Sequence, residues 1–391
     1  MYPLIEKNIS RQHLFDDDRW VVFQDFIADK ETPFLVVDRA VLRQRYQTLQ
    51  ALLPMTNIFY AIKANPDVEV LRLFHELGAS FDVASIYELQ LLVDLGVDAQ
   101  KISYGNTIKK ISDITFAYEQ GVRMFTTDSE EDLEHLATYA PKSSIFFRVE
   151  TGGLGADWPL SRKFGCHQDN VCALVLRAKE RGLFPYGVMF HVGSQQRNIA
   201  EWDQGISKCK YLFTMLKEEG IELKAINLGG GLPANYYEST PVIEYYAQEI
   251  TRYLEEKFED HLPEILIEPG RYLVADAGTL VSEVILISQK SSFNRMRWVY
   301  LDVGKFNGLI ETIDELIKYP IFTDKEGECS LAILAGPTCD SMDILYERFK
   351  YSLPKSLEIG DKVYIATTGA YTYSYSSVGF NGFPPLKTYF I

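Results

Sequence analysis

Between residues 57 and 268 the chain alternates short, β-rich apolar runs with segments of helical periodicity, and this alternation narrows the fold more than any other feature. The runs are NIFYAIK (57–63), SFDVAS (80–85), KISYGN (101–106), VRMFTTD (122–128), SIFFRVE (144–150), PYGVMFHV (185–192), LKAINLGG (223–230) and EILIEP (264–269). The connecting segments, EVLRLFHELG and SIYELQLLVDLG among them, carry apolar residues three and four apart. Eight strands joined by helix-length connections predict an α/β fold, a (β/α)8 barrel. A doubly wound sheet is the alternative, but its first strand ordinarily leads into a glycine-rich turn, and here KANPD holds that place.

After residue 276 the texture changes to TLVSEVILIS, RWVYLDVG, SLAILAG and DKVYIATTG, separated by polar or Gly/Pro turns. This predicts a second, antiparallel β domain with one acidic helical stretch over 308–318. The first ~35 residues show no helix long enough to stand alone and are expected to join that domain. The boundaries read as a barrel over 38–276 and a β domain built from 1–37 with 277–391. No internal repeat or low-complexity linker interrupts the chain.

A formal charge of −15 argues against a nucleic-acid partner, which needs a basic face. It fits an enzyme with a cationic substrate. The N-terminus has no basic segment followed by an apolar one, so no signal peptide is expected. No run approaches the ~18 apolar residues of a membrane span. Five cysteines, odd in number and without a CxxC pair, predict free thiols, no metal site and a cytoplasmic setting.

In a (β/α)8 barrel the chemistry sits at the C-terminal strand ends. Lys63 ends the first strand, with Asp82 and Ser85 in or just after the second and Arg148 and Glu150 at the fifth. His191 and Ser194 end the sixth, Gly229, Gly230 and Gly231 the seventh, and Glu268, Gly270 and Arg271 the eighth. A strand-end lysine is ordinarily a solvated charge. The small and apolar neighbours Ala61, Ile62 and Ala64 would instead desolvate Lys63 and lower its pKa, as covalent amine chemistry requires. Three successive glycines can be a plain turn, but their N–H groups can also form an anion nest. Gly270-Arg271 adds a second phosphate-suited element, and the lack of a Walker motif assigns that phosphate to a cofactor. Glu268 fixes the electronics: a carboxylate facing a pyridine nitrogen keeps it protonated and makes the ring a strong electron sink.

The order YAIKANP, FDVAS, HVGSQ, GGG, EPGRY, GPTCDSMD, GAYT and FNGF resembles the fold-type III, alanine racemase-like pyridoxal-5′-phosphate decarboxylases, specifically the ornithine/lysine branch of bacterial type. The likeness runs from PFLVVD near residue 34 to residues 380–383. It implies that Lys63 carries pyridoxal 5′-phosphate, His191 stacks on its ring and Glu268 pairs with its nitrogen. It implies that Ser194, Gly229–Gly231, Gly270, Arg271 and Tyr371 hold the phosphate, with Asp82 and Arg148 close to the cofactor and its lysine. Cys339 resembles the residue that reprotonates the α-carbon, and Asp340 the one that binds the substrate's distal ammonium. Glu311 and Asp314 are further candidates for that ammonium. Cys339 and Asp340 would complete the barrel site of a second copy, making an obligate homodimer with shared sites, and Lys163 and Asp343 match positions that pair across its interface.

The expected reaction is L-ornithine to putrescine and L-lysine to cadaverine, in polyamine biosynthesis. Diaminopimelate or another polyamine-pathway amino acid is the alternative substrate, and a non-catalytic regulatory relative the alternative of a different class. Two departures stand out: DWPLSR precedes Lys163, and Asn227 stands where many relatives have an aspartate before the glycines.

Overall fold

The eight apolar runs become eight parallel strands that close on themselves. In the computed structural model, which describes residue 11 and residues 15–158, 163–238, 240–259, 261–293 and 296–391, they are Thr56–Ala61, Ser80–Val83, Ile102–Tyr104, Met124–Thr127, Ser144–Arg148, Phe184–Met189, Ala225–Asn227 and Glu264–Ile267. The last pairs with the first, Ile265 opposite Thr56, so the sheet is a closed barrel and the doubly wound alternative is excluded. Phe59, Phe146, Met189, Ala225 and Leu266 form one buried apolar cluster in it. The helices between strands start where short polar side chains can take up free N–H groups. Asp67 accepts from Glu69 N, and Ser129 from Asp132 N. Ser85 and Glu88 cap reciprocally: Ser85 Oγ accepts from Glu88 N at 3.3 Å, and Glu88 Oε2 from Ala84 N at 2.6 Å.

The chain divides into two compact units. The barrel unit takes residues 43–233 and 241–272; the second takes residue 11, residues 15–42, Ala234–Thr240 and Leu273–Ile391. The dividing points lie a few residues from 37/38 and 276/277. The segment 234–240 belongs with the second unit, where Asn235 donates to Asp276 Oδ2 at 2.9 Å and Tyr237 N to Lys318 O at 2.8 Å.

The second unit is one eight-stranded sheet. It is mostly antiparallel rather than wholly so: Arg297–Leu301 runs parallel to Cys329–Ala335, and Phe34–Val37 parallel to Lys387–Phe390. The N-terminal region supplies an eleven-residue helix, Asp17–Ile27, whose Trp20, Phe23 and Ile27 pack with Phe34, Val36, Val281 and Tyr364. The expected acidic helix over 308–318 is not one. Ile310–Glu315 is a pair of tight turns broken by an extended Ile313 (ψ 132°) and a left-handed Asp314 (φ 53°). Glu315 clamps the break by accepting from Glu347 N, Arg348 N and Phe349 N at 2.7–2.8 Å. Among the described residues no helix is long and apolar enough to cross a membrane.

Candidate active site

Lys63 leaves the first barrel strand in a single 3-10 turn, Ile62–Ala64, whose flanking Ile62 and Ala64 are buried. The turn is fixed from behind by Tyr60, which donates to Asn65 O at 2.8 Å. The Lys63 side chain is 42% exposed, and its Nζ lies 3.9 Å from Oδ2 of Asp82, a side chain only 4% exposed. Gly105, after the third strand, makes room for that carboxylate: a Cβ there would sit 2.1 Å from Asp82 Oδ1. Asp82 Oδ1 is buried with no hydrogen-bond partner among the described residues. Burial, reinforced by the charge of Glu268, holds the Asp82 carboxyl well above the usual range, against Lys63 and Arg148, which pull it down.

Glu268 is buried after the eighth strand and is held by a neutral donor. Asn227 Nδ2 donates to Glu268 Oε1 at 2.6 Å, while Asn227 Oδ1 accepts from Gly229 N at 2.9 Å. One amide side chain thereby sets both the carboxylate and the first glycine of the triplet. His191 accepts from Gly193 N at Nδ1, 3.0 Å, which assigns the ring proton of its neutral form to Nε2. Burial first, then the nearby Arg148 and Lys63 charges, holds its pKa well below the usual value, so the ring is neutral at pH 7. Arg148 stacks on the Phe164 ring at 4.7 Å.

The glycine triplet is required by its backbone. Gly229 has φ +64° and Gly231 φ +118°, and a Cβ on Gly229 would lie 2.1 Å from Phe190 O. A Cβ on Gly230 would meet Glu268 O at 2.7 Å and His191 Nε2 at 3.0 Å. One on Gly270 would meet Ala64 Cβ at 2.9 Å. The glycines therefore let the seventh and eighth loops close on His191 and on the turn of Lys63. Arg271, 3% exposed, donates to Ser194 Oγ from Nη2 at 3.0 Å and from Nε at 3.2 Å.

Lys63, Asp82, Arg148, His191, Ser194, Gly229–Gly231, Glu268, Gly270 and Arg271 all lie in the barrel unit. Cys339, Asp340, Tyr371, Glu311 and Asp314 lie in the second. There Cys339 is exposed, and its N–H donates to Asn381 Oδ1 at 3.1 Å. Asp340 accepts from Met342 N at 2.8 Å. Tyr371 has a left-handed backbone, φ 55°. Glu311 is 3% exposed, whereas Asp314 is at the surface. Asp343 is used inside its own unit: its carboxylate accepts from Lys305 N at 2.8 Å and from Thr338 N and Oγ1 at 3.0 and 2.7 Å. At 2% exposure within one chain, it is a hub of the Cys339 turn. Lys163 faces the Phe164 ring at 5.0 Å. Most of the DWPLSR segment, 159–162, lies outside the described residues.

Sequence reasoning missed Gly105 and Lys109. Lys109 Nζ is fully buried and donates to Asn106 O, Thr126 O and Asp132 Oδ2, each at 2.8 Å, pinning the loop after the third strand. The EED run that opens the helix after the fourth barrel strand, Glu130–Tyr139, hides the buried Asp132 among carboxylates of its first turn.

A family profile described as pyridoxal-dependent decarboxylase, pyridoxal binding domain, matches residues 39–275. The chain belongs to the pyridoxal-dependent decarboxylases. It is 32% identical over 353 residues to the lysine/ornithine decarboxylase of Selenomonas ruminantium, covering 90% of this chain and 88% of that one. It is equally 32% identical, over 403 residues, to antizyme inhibitor 2 of Xenopus laevis, at 98% and 85% coverage. The lysine/ornithine decarboxylase of Vibrio vulnificus, solved with cadaverine, superposes with a TM-score of 0.87 at 31% identity, covering 96% of this chain and 99% of that one. The residues of the barrel mouth fit the family's cofactor. An amine beside a buried carboxylate suits covalent attachment, a buried carboxylate held by an amide suits a ring nitrogen, and a glycine cradle with a buried arginine suits a phosphate.

Proposed function

We propose that this pyridoxal-dependent decarboxylase acts on a basic amino acid, converting L-ornithine to putrescine and L-lysine to cadaverine, with pyridoxal 5′-phosphate attached to Lys63. The observation that carries the reading is the buried Glu268 held by Asn227, its charge felt by the Asp82 that faces Lys63. When bound, the cofactor supplies an electron sink for the pair released as the carboxylate leaves. Glu268, held by Asn227, would set its carboxylate where the ring nitrogen needs one. His191, neutral, presents an uncharged face to the ring rather than a cation that would oppose its electron withdrawal. Ser194, Gly229–Gly231, Gly270, Arg271 and Tyr371 hold the phosphate. Asp82 stabilises the Lys63 ammonium whenever the lysine is released. The Cys339 thiol returns a proton to the α-carbon, and Asp340 with Asp314 receives the distal ammonium.

The same reading makes the protein a homodimer, each site completed by the Cys339–Asp340 turn of a second copy. Its support is an apolar patch around that turn: Met342, Tyr375, Val378 and Phe380 are 63%, 48%, 82% and 37% exposed. All five cysteines are unbridged, which suits the cytoplasm.

The test is product analysis on purified protein with added pyridoxal phosphate, offered ornithine, lysine, arginine and diaminopimelate in competition. Putrescine or cadaverine with carbon dioxide is the expected result. No turnover of either ornithine or lysine overturns the reading.

A further inference from the structure

Ser194 sits on a strained stretch of backbone. Gln195, which follows it, is fully buried and left-handed, φ 54°, a conformation that a side chain with a Cβ disfavours. Such a residue keeps its shape only where its surroundings fix it. Two connections do so here. Gln196 N donates to Gly231 O at 3.0 Å, which ties the strand Ser194–Gln196 to the glycine triplet. Ala156–Trp158 pairs with the same strand antiparallel, Trp158 opposite Ser194 and Ala156 opposite Gln196. That register sets Asp157 across from the strained Gln195.

What holds Ala156–Trp158 in place is polar. All three of its residues are half-buried, so no core side chain anchors it. Arg197 Nη2 meets Asp157 Oδ2 at 2.6 Å, and with side chains 22% and 18% exposed the pair is screened less than a surface ion pair. Arg197 N donates to Gly155 O at 3.2 Å, an approach that a Cβ on Gly155 would obstruct by lying 2.8 Å from Asn198 Cβ. Just upstream, Gly153 N donates at 3.0 Å to the carboxylate of the buried Glu201, and Thr151 Oγ1 donates to His191 O at 2.6 Å. Tyr246 donates to Gln196 O at 2.9 Å. All these residues belong to the barrel unit.

We propose that Asp157 and Arg197 are positioning residues for the cofactor phosphate: their ion pair clamps Ala156–Trp158 onto the strained strand and so fixes Ser194 Oγ against Arg271. The inference rests on the function proposed above and deepens it, adding to the phosphate site two residues that act through Ser194. With the clamp released, Gln195 relaxes toward negative φ, and the residue before it turns away from the two Arg271 donors that now meet Ser194 Oγ at 3.0 and 3.2 Å. The phosphate then loses one fixed hydroxyl, while Lys63, Asp82 and Glu268, held by other contacts, keep their places.

The experiment compares wild type with Asp157→Asn, Arg197→Gln, the double variant and Arg197→Lys. Each protein is titrated with pyridoxal phosphate for affinity. The phosphorus NMR line of the cofactor is then recorded on borohydride-reduced holoenzyme, where the cofactor stays on Lys63 at any affinity. Each single variant should weaken pyridoxal phosphate binding by at least about fivefold, the scale of one shielded charge-assisted contact. The double variant should be little worse than either, because one pair is lost only once. Arg197→Lys keeps the charge and should keep most of the affinity. The phosphorus line should move toward that of the free phosphate ester in the weakened variants and stay in place in Arg197→Lys. A merely structural role would lower the melting temperature and leave the phosphorus line unmoved, and that result overturns the inference, as does unchanged affinity. Additive losses in the double variant also overturn it, since the two residues would then not act as a pair. Wild type that takes up no pyridoxal phosphate on Lys63 overturns the underlying function instead.

Discussion

Replacing Asn227 by aspartate swaps the neutral donor on Glu268 for a second carboxylate without changing the side chain's size. The contact is 2.6 Å and buried. Two full charges at that separation would repel by about 6 kcal/mol even at an effective dielectric of about 20. Keeping one proton on the pair costs less: raising a carboxyl from its unfolded pKa near 4.3 to above 7 takes about 4 kcal/mol at pH 7. The lower-energy route wins, so the Asn227→Asp protein should hold one proton shared between the introduced carboxyl and Glu268. The sign follows from proton counting. The folded variant binds a proton that the unfolded chain releases above about pH 4, so stability relative to wild type falls as pH rises, by up to about 1.4 kcal/mol per pH unit. It levels off once the folded pair itself ionises. The assay is thermal unfolding of the apoprotein, variant against wild type, from pH 5 to pH 8. The melting temperatures should nearly coincide at pH 5 and separate steadily toward pH 8. A gap that does not change with pH would mean that Asn227 and Glu268 do not share a buried hydrogen bond, and the anchoring of Glu268 would need another explanation.

Three further outcomes are expected. Gly105→Ala drives a methyl into Asp82, and overpacking of this kind costs about 1–3 kcal/mol; cofactor affinity, followed by fluorescence titration, should fall more than the melting temperature does. Asp82→Asn removes a carboxyl whose folded pKa is well raised, a group whose contribution to stability is present at low pH and lost as pH rises through the raised value. The variant should therefore show a flatter decline in melting temperature on the alkaline side, and an unchanged slope would count against Asp82 being buried beside Glu268. Lys109→Met leaves Asp132 buried without its partner, and breaking such a pair costs about 3–5 kcal/mol; chemical denaturation should register it, and a loss under about 1 kcal/mol would show that water reaches the site.

The barrel was legible because its strands are buried on both faces and so appear as near-continuous apolar runs, with the polar strand-end residues marking one rim. The acidic 308–318 stretch was misread because GLIETIDELIK has helical spacing, whereas backbone donors from the 344–354 strand, supplied by tertiary structure, capture Glu315 and break the helix at Ile313 and Asp314. The role of Asp343 inside its own chain was not legible, since nothing local shows that Lys305 N of another loop joins the two Thr338 donors on its carboxylate. Gly105 was invisible for a related reason: its value lies in what a neighbouring strand places beside it, not in its own turn.

Every role proposed for the barrel mouth depends on Lys63 carrying the cofactor. Incubating the protein with pyridoxal phosphate, reducing with borohydride and mapping the digest by mass spectrometry tests this in one step. We expect a single pyridoxyl modification, on Lys63, absent from the Lys63→Ala protein. Modification of some other lysine, or none at all, would remove the basis of the proposed reaction.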